Sequence, residues 1–264
     1  MAELERPDGV TVHYEVSGEG PVVALASYWS WNPAVFSEMF AELELDHRVL
    51  TYDLRGTGQS SRRGPYDIET DSSDLEALLE AAGGAAALIA VADSANRAAK
   101  VAARRPDLAA SLVCLGTAPF ARSALLGREG MIASDSVVDA FVEMLSRDYR
   151  GALRTLLAAT NEQMSEEQLG ERVRTQLDYC PQEAALGRVR EWLRGDPERD
   201  ARDLGPRLWI ATSPDGVAGP WLPDPDEMEN VTAELVPEAH RLFLEGAISQ
   251  PSVAADLIRE IVAA

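Results

Sequence analysis

The chain is poor in several of the features that usually announce a function. It has only two cysteines and three histidines in 264 residues. Cys114 sits in an apolar run and Cys180 in a later helical stretch, so they offer no disulfide framework and fit a reducing cytoplasm. No His/Cys cluster stands at metal-ligand spacing, so neither a metal nor a cofactor is expected. Positive charge is also scarce: 44 acidic residues oppose 24 basic ones, for a net charge of −20. That excludes the basic footprint of a nucleic-acid binder, and the acidity suits solubility. No apolar run reaches the ~20 residues that a membrane helix needs. The longest candidate, around Ala81–Ala92, is interrupted by glycine. The opening Met1-Ala2-Glu3-Leu4-Glu5-Arg6 lacks the basic and apolar regions of a signal peptide. The expected partner is therefore a small-molecule substrate, with no nucleic acid and no membrane, in the cytoplasm. A homodimer stays open.

What the chain does have is alternation of strands and helices. Val10–Val16 alternates apolar and polar residues like an antiparallel edge strand. Val22–Ala26 is continuously apolar, as a strand buried on both faces would be. Asn32-Pro33 opens a helix with Val35, Phe36, Met39, Phe40 and Leu43 on its buried face. Arg48–Leu54 is a strand, Asp74–Ala82 a helix, Ala86–Ala92 a strand, Ala98 onward a small-residue helix, and Ser111–Leu115 a strand. This order predicts an α/β fold, a mostly parallel central sheet with helices on both faces. From Ala121 to Asp203 only helical patterns occur, on faces such as Val138, Phe141, Val142 and Leu145, or Val189, Trp192 and Leu193. Leu208–Ala211 and Thr232–Val236 then read as strands, and Val253, Leu257, Ile258 and Ile261 mark a last helix. The division expected is core 1–120, a helical cap insertion 121–204 over the C-terminal edge of the sheet, and core 205–264. That edge is where open α/β sheets bind ligands.

Three residues are expected at that edge. Ser94 lies between the strand Ala86–Ala92 and its helix, in Ala92-Asp93-Ser94-Ala95-Asn96. A serine hydroxyl needs a base to become a nucleophile. His240, placed on a loop after the strand Thr232–Val236, is the candidate. Asp215, in Thr212-Ser213-Pro214-Asp215-Gly216, is the candidate carboxylate to orient it. His13 and His47 read as structural or exposed. Tyr28, Trp29 and Trp31, with Ser27, are candidates to line a pocket.

With these residues in place the chain resembles the α/β-hydrolase superfamily, in its capped branch of esterases, lactonases, aminopeptidases and C–C hydrolases. The chain order Ser94, Asp215, His240 is that of the family's triad. Asp53-Leu54-Arg55-Gly56-Thr57-Gly58-Gln59-Ser60 is close to its D-x-R-G-x-G-x-S turn, in which Arg55 is expected to make a buried ion pair. Pro237-Glu238-Ala239-His240 followed by Leu244-Glu245 is similar to its G-x-G-H…L-E ending. The resemblance implies an oxyanion hole built from backbone amides of Tyr28 or Trp29 and of Ala95. Two departures stand out: Ala26-Ser27 where the family has His-Gly, and Asn96 where its elbow has Gly.

The function expected is that of a serine hydrolase acting on a small, largely apolar ester or lactone through an acyl-enzyme. Two others fit the same fold. One is non-hydrolytic acid–base chemistry (cyclisation, elimination or C–C cleavage) on a secondary metabolite. The other is a catalytically inactive binding protein, which requires Ser94, Asp215 and His240 to lie too far apart to hydrogen-bond.

Overall fold

The computed structural model describes residues 2–29, 31–119, 135–160, 164–195, 197–212, 225–243 and 250–264. Its strands are β1 (Ala2–Glu5), β2 (Thr11–Ser17), β3 (Val22–Leu25), β4 (Arg48–Tyr52), β5 (Ala85–Ala90), β6 (Ala109–Leu115), β7 (Leu208–Thr212) and β8 (His240–Phe243). They form one sheet in the order β1-β2-β4-β3-β5-β6-β7-β8. β2 runs antiparallel to β1 and β4; all pairs from β4 to β8 are parallel. The central strands are buried on both faces, which is why they read as continuous apolar runs.

Helices cover both faces. α1 (Ser37–Leu43) and α10 (Pro251–Ala263) close one side, where Met39, Phe40, Leu43, Leu257 and Ile258 pack on Val23, Ile89 and Val113. α2 (Ile68–Ala82) and α3 (Ser94–Arg104) close the other. On α3, Ala95, Ala98, Ala99 and Ala102 are all fully buried. Side chains this small let the helix axis come close to β5 and β6.

Among the described residues, 135–204 is helical throughout. It holds α4 (Asp135–Arg147), α5 (Tyr149–Thr160), α6 (Glu166–Tyr179), α7 (Gln182–Arg194) and α8 (Glu198–Leu204). α4 and α7 share one apolar cluster with Trp29 and Tyr66; α5 and α6 share another with Trp31. This segment meets the core through the loops that follow β3 and β4. The Trp29 indole N–H donates to Ala185 O at 2.9 Å, and Gly58 N–H donates to Tyr179 O at 2.8 Å. A side chain at Gly58, which has φ +48°, would run into the Asp53 carboxylate. That carboxylate also accepts from the Tyr179 hydroxyl at 2.7 Å. The strongest tie is ionic. Arg188 of α7 donates from Nε and Nη2 to Asp71 of α2 at 2.7 and 3.0 Å, with both side chains 1% exposed. Beside it, Arg55 is buried against Asp74 at 2.7 and 2.9 Å, the ion pair expected of it.

Three elements differ from expectation: β1 and β8 lie outside the expected strands, and one expected strand is a helix. Thr232–Val236 is not a strand; Thr232 lies within α9 (Pro225–Leu235). Thr232, Leu235 and Val236 are buried at helical spacing, which a short apolar stretch cannot distinguish from a strand. The last strand is β8, and it begins at His240.

Removing one partner of the buried Arg188–Asp71 pair strands the other without a full counter-charge. Arg188→Ala is expected to cost about 3–5 kcal/mol, read as a lower urea midpoint. Burial holds the Cys180 thiol up to about 11, with Arg188 opposing the shift, and raises Cys114 as well. A raised folded value means stability that is present below the ordinary thiol range, about 8.5, and is lost as pH rises toward about 11. Neither thiol should react with a disulfide reagent at pH 8 until the chain unfolds.

Candidate active site

The site forms where β5 turns into α3. β5 ends at Ala90, and α3 starts at Ser94. The turn between them forces Ala92 to φ +50°, a backbone conformation costing a non-glycine residue roughly 1–2 kcal/mol. Such strain persists where surrounding structure imposes it, commonly at functional sites. The strained apex is where a nucleophile elbow carries its side chain. Here that residue is alanine, and the small-x-apex-x-small pattern is Ala90-Val91-Ala92-Asp93-Ser94.

This corrects the expectation for Ser94. It is the first residue of α3 and fully buried. Its Oγ accepts from Val91 N–H at 2.9 Å and donates to Val91 O at 2.8 Å. The hydroxyl therefore pins the turn from beneath, with both hydrogen-bonding roles spent on backbone.

His240 is also corrected. It is the first residue of β8, not a loop residue beyond the last strand. In register it aligns with Trp209, then Val113, then Ile89. Three strand spacings separate it from β5, roughly 14 Å. Partners across a parallel ladder share a face, and Ile89 and Val113 belong to the α1/α10 side, opposite α3. The imidazole is exposed and stacks on Trp209 at 3.7 Å between ring centroids. It does not reach Ser94. His13 is buried on β2, with Nε2 3.1 Å from Gln59 Nε2. His47 pairs with Asp46 at 2.7 Å ahead of β4. None of the three histidines is brought to the elbow. Asp215 lies outside the described residues.

The expected oxyanion donors are largely engaged. Ala95 N–H donates to Ala92 O at 3.3 Å, within the first turn of α3. Trp29 N–H donates to Asp93 Oδ1 at 3.0 Å. A carboxylate oxygen thus sits on the amide that an oxyanion would need. Asp93 is held there by Arg97, whose Nη2 donates to Asp93 Oδ2 at 2.7 Å while Nη1 donates to Ser27 O at 2.8 Å. Ser27 O, Arg97, Asp93 and Trp29 N close into a clamp that ties the loop after β3 to the elbow. Arg97 Nε in turn lies 3.8 Å from Asp71, the partner of Arg188.

The pocket candidates separate into two pairs. Ser27 is 1% exposed, and its hydroxyl donates to Tyr52 O, so it does not face a ligand. Trp29 is tied to α7 through its indole. Tyr28 and Trp31 are half-buried and stack on one another at 6.4 Å, with Phe36 tilted against Tyr28 at 6.0 Å. Burial, followed by the nearby charge of Asp93, pushes the Tyr28 hydroxyl well above the usual phenol range, against an opposing effect of Arg172. It stays a neutral donor.

A family model described as alpha/beta hydrolase fold matches residues 24–223. The chain belongs to the α/β-hydrolase fold family. It is 28% identical over 151 residues to the pimeloyl-[acyl-carrier protein] methyl ester esterase of Vibrio atlanticus (strain LGP32), covering 56% of each chain. The match thus spans only about half the length of that relative. Solved structures agree on the fold. An esterase from Exiguobacterium antarcticum gives a TM-score of 0.80 at 17% identity, covering 99% of both chains. The enol-lactonase from Burkholderia xenovorans LB400 gives 0.76 at 18%, covering 100% of both. The chain is thus an α/β-hydrolase-type protein among hydrolase relatives, with an alanine at the elbow apex. Among the described residues, no helix is long and apolar enough to cross a membrane.

Ser94→Ala should remove only the hydrogen bonds that pin the turn. A loss of about 1 kcal/mol or a little more is expected in chemical unfolding, with ligand affinity unchanged.

Proposed function

We propose that the chain is an α/β-hydrolase-type enzyme that acts on a small, largely apolar carbonyl compound without forming an acyl-enzyme. The observation that carries this reading is Ala92 at the positive-φ apex, where covalent catalysis needs a nucleophile. With no nucleophile and no imidazole at the elbow, the chemistry left to the described residues is non-covalent. Tyr28 offers a hydroxyl held in its protonated form beside the Asp93 carboxylate. In this reading it donates to the substrate carbonyl oxygen and polarises it, as a fixed donor in a partly dry site can. Trp31 and Phe36 supply apolar walls, and helices α4–α7 act as the cap. A proton transfer within the substrate, as in elimination or cyclisation, fits this equipment better than ester hydrolysis.

A second reading is favoured by the distance between Ser94 and His240, which an inactive binding protein requires, and by the state of Asp93. Both oxygens of Asp93 are already engaged, by Trp29 N–H and by Arg97, so that carboxylate is poorly free to act as a base. On that view the site binds its ligand and does not turn it over.

A fluorophosphonate probe is expected to leave the folded protein unlabelled, and p-nitrophenyl butyrate to be hydrolysed no faster by the wild type than by Ser94→Ala. Labelling at Ser94 would sink both readings in favour of the serine mechanism. Tyr28→Phe separates the two: loss of turnover on a substrate that still binds supports the enzyme, whereas a ligand that binds wild type and variant with no turnover by either supports the binding protein.

A further inference from the structure

We propose that Arg172 of α6 is the anchor for a carboxylate on the ligand, so that the site takes an acidic amphiphile with an apolar body. This rests on the reading that a small ligand sits at Tyr28 and Trp31.

The case starts from how the arginines of helices α4–α7 are used. Arg147, Arg154, Arg188, Arg190 and Arg194 each face a carboxylate. Arg150 and Arg174 are exposed to water. Arg172 is the exception: it is half-buried, yet it has no hydrogen bond or ion pair among the described residues. In a chain with 44 acidic residues against 24 basic ones, a half-buried guanidinium with no carboxylate among the described residues stands out. It lies over the face of Trp31, at 5.9 Å from the ring centroid. A guanidinium over an aromatic face at this distance is held near the ring, and the described residues place no acceptor on its N–H groups.

Position makes the fork useful. Trp31 is stacked on Tyr28 at 6.4 Å with the rings 15° from parallel, so Arg172, Trp31 and Tyr28 follow one another in contact. The Arg172 charge is felt at the Tyr28 hydroxyl. Two donors, one cationic and one neutral, therefore border the same apolar surface. The Asp93 charge does not cancel Arg172, because Arg97 already pairs with it at 2.7 Å. A planar carboxylate matches a guanidinium fork in a bidentate manner, and such pairs are stronger than neutral hydrogen bonds. An ammonium group at the same place would face Arg172 and be repelled.

The test titrates the full-length protein by calorimetry with 3-phenylpropionate and with its neutral counterpart, 3-phenylpropanamide. The same is done for Arg172→Gln and Arg172→Lys, with folding checked by circular dichroism. The wild type is expected to bind the carboxylate about tenfold more tightly than the amide. Arg172→Gln should lose that preference while keeping its affinity for the amide, and Arg172→Lys should keep part of the preference. Raising the salt concentration should weaken only the carboxylate. Equal affinities in the wild type, or a preference that survives in Arg172→Gln, would overturn the role of Arg172 and leave the reading of a ligand at Tyr28 and Trp31 standing. Binding of neither probe would overturn both.

Discussion

The site depends on one guanidinium. Arg97 reaches from the first turn of α3 to two otherwise separate pieces of backbone, the loop after β3 through Ser27 O and the elbow through Asp93. Both of these hydrogen bonds are charge-assisted, and the side chain is 5% exposed. An unpaired charge at this depth would cost several kcal/mol, so the partners are constrained as firmly as Arg97 itself. The two non-glycine residues with positive φ among the described residues, Trp29 and Ala92, stand on either side of this clamp. Strain in the backbone and pairing in the side chains are two aspects of the same arrangement.

The ion pairs extend beyond the elbow. Asp71 accepts from Arg188 on α7 and lies near Arg97 on α3, so core and helical segment share one buried carboxylate. Positive and negative groups alternate along Asp93, Arg97, Asp71 and Arg188, and the set is neutral. Such a set contributes less to stability than its contacts suggest, because each ion loses its hydration. What it supplies is geometry: it holds α7, and with it the Trp29 indole, in one position relative to the sheet.

Much of the fold was legible because it rests on period and order. The buried runs at Val22, Ala86 and Ser111 could be nothing but central strands once helical patterns separated them. Arg55 and the Asp53–Ser60 turn were readable because glycine and paired charge leave few alternatives. The site was legible in place but not in identity. Ser94 attracted the role of nucleophile because it is the only hydroxyl in the turn, yet the role belongs to whichever residue takes the strained φ. That residue depends on where β5 stops, and a stop at Ala90 rather than Ala92 moves the apex by two positions. A pattern reading of Ala90-Val91-Ala92-Asp93-Ser94, with small residues at both flanks, was the available signal. His240 failed for a related reason. The apolar spacing of Thr232–Val236 suits a strand as well as a helix, and the strand alternative places the imidazole beyond a strand's end when it stands at the start of one. Arg172 carried no sequence signal at all, since only the folded helices reveal which arginines lack a carboxylate.

The Asp93 carboxylate on the Trp29 amide limits any change of chemistry at the elbow. Covalent ester hydrolysis at this turn would require a nucleophile at position 92, an imidazole within its reach, and release of that amide from Asp93. Each change alone confers no hydrolysis, and the last would also leave Arg97 without its closest counter-charge. Asp93 therefore couples the two jobs of this corner: a ligand that drew the Trp29 amide away would also loosen the carboxylate that fixes Arg97, so occupancy of the amide and rigidity of the elbow are exchanged for one another.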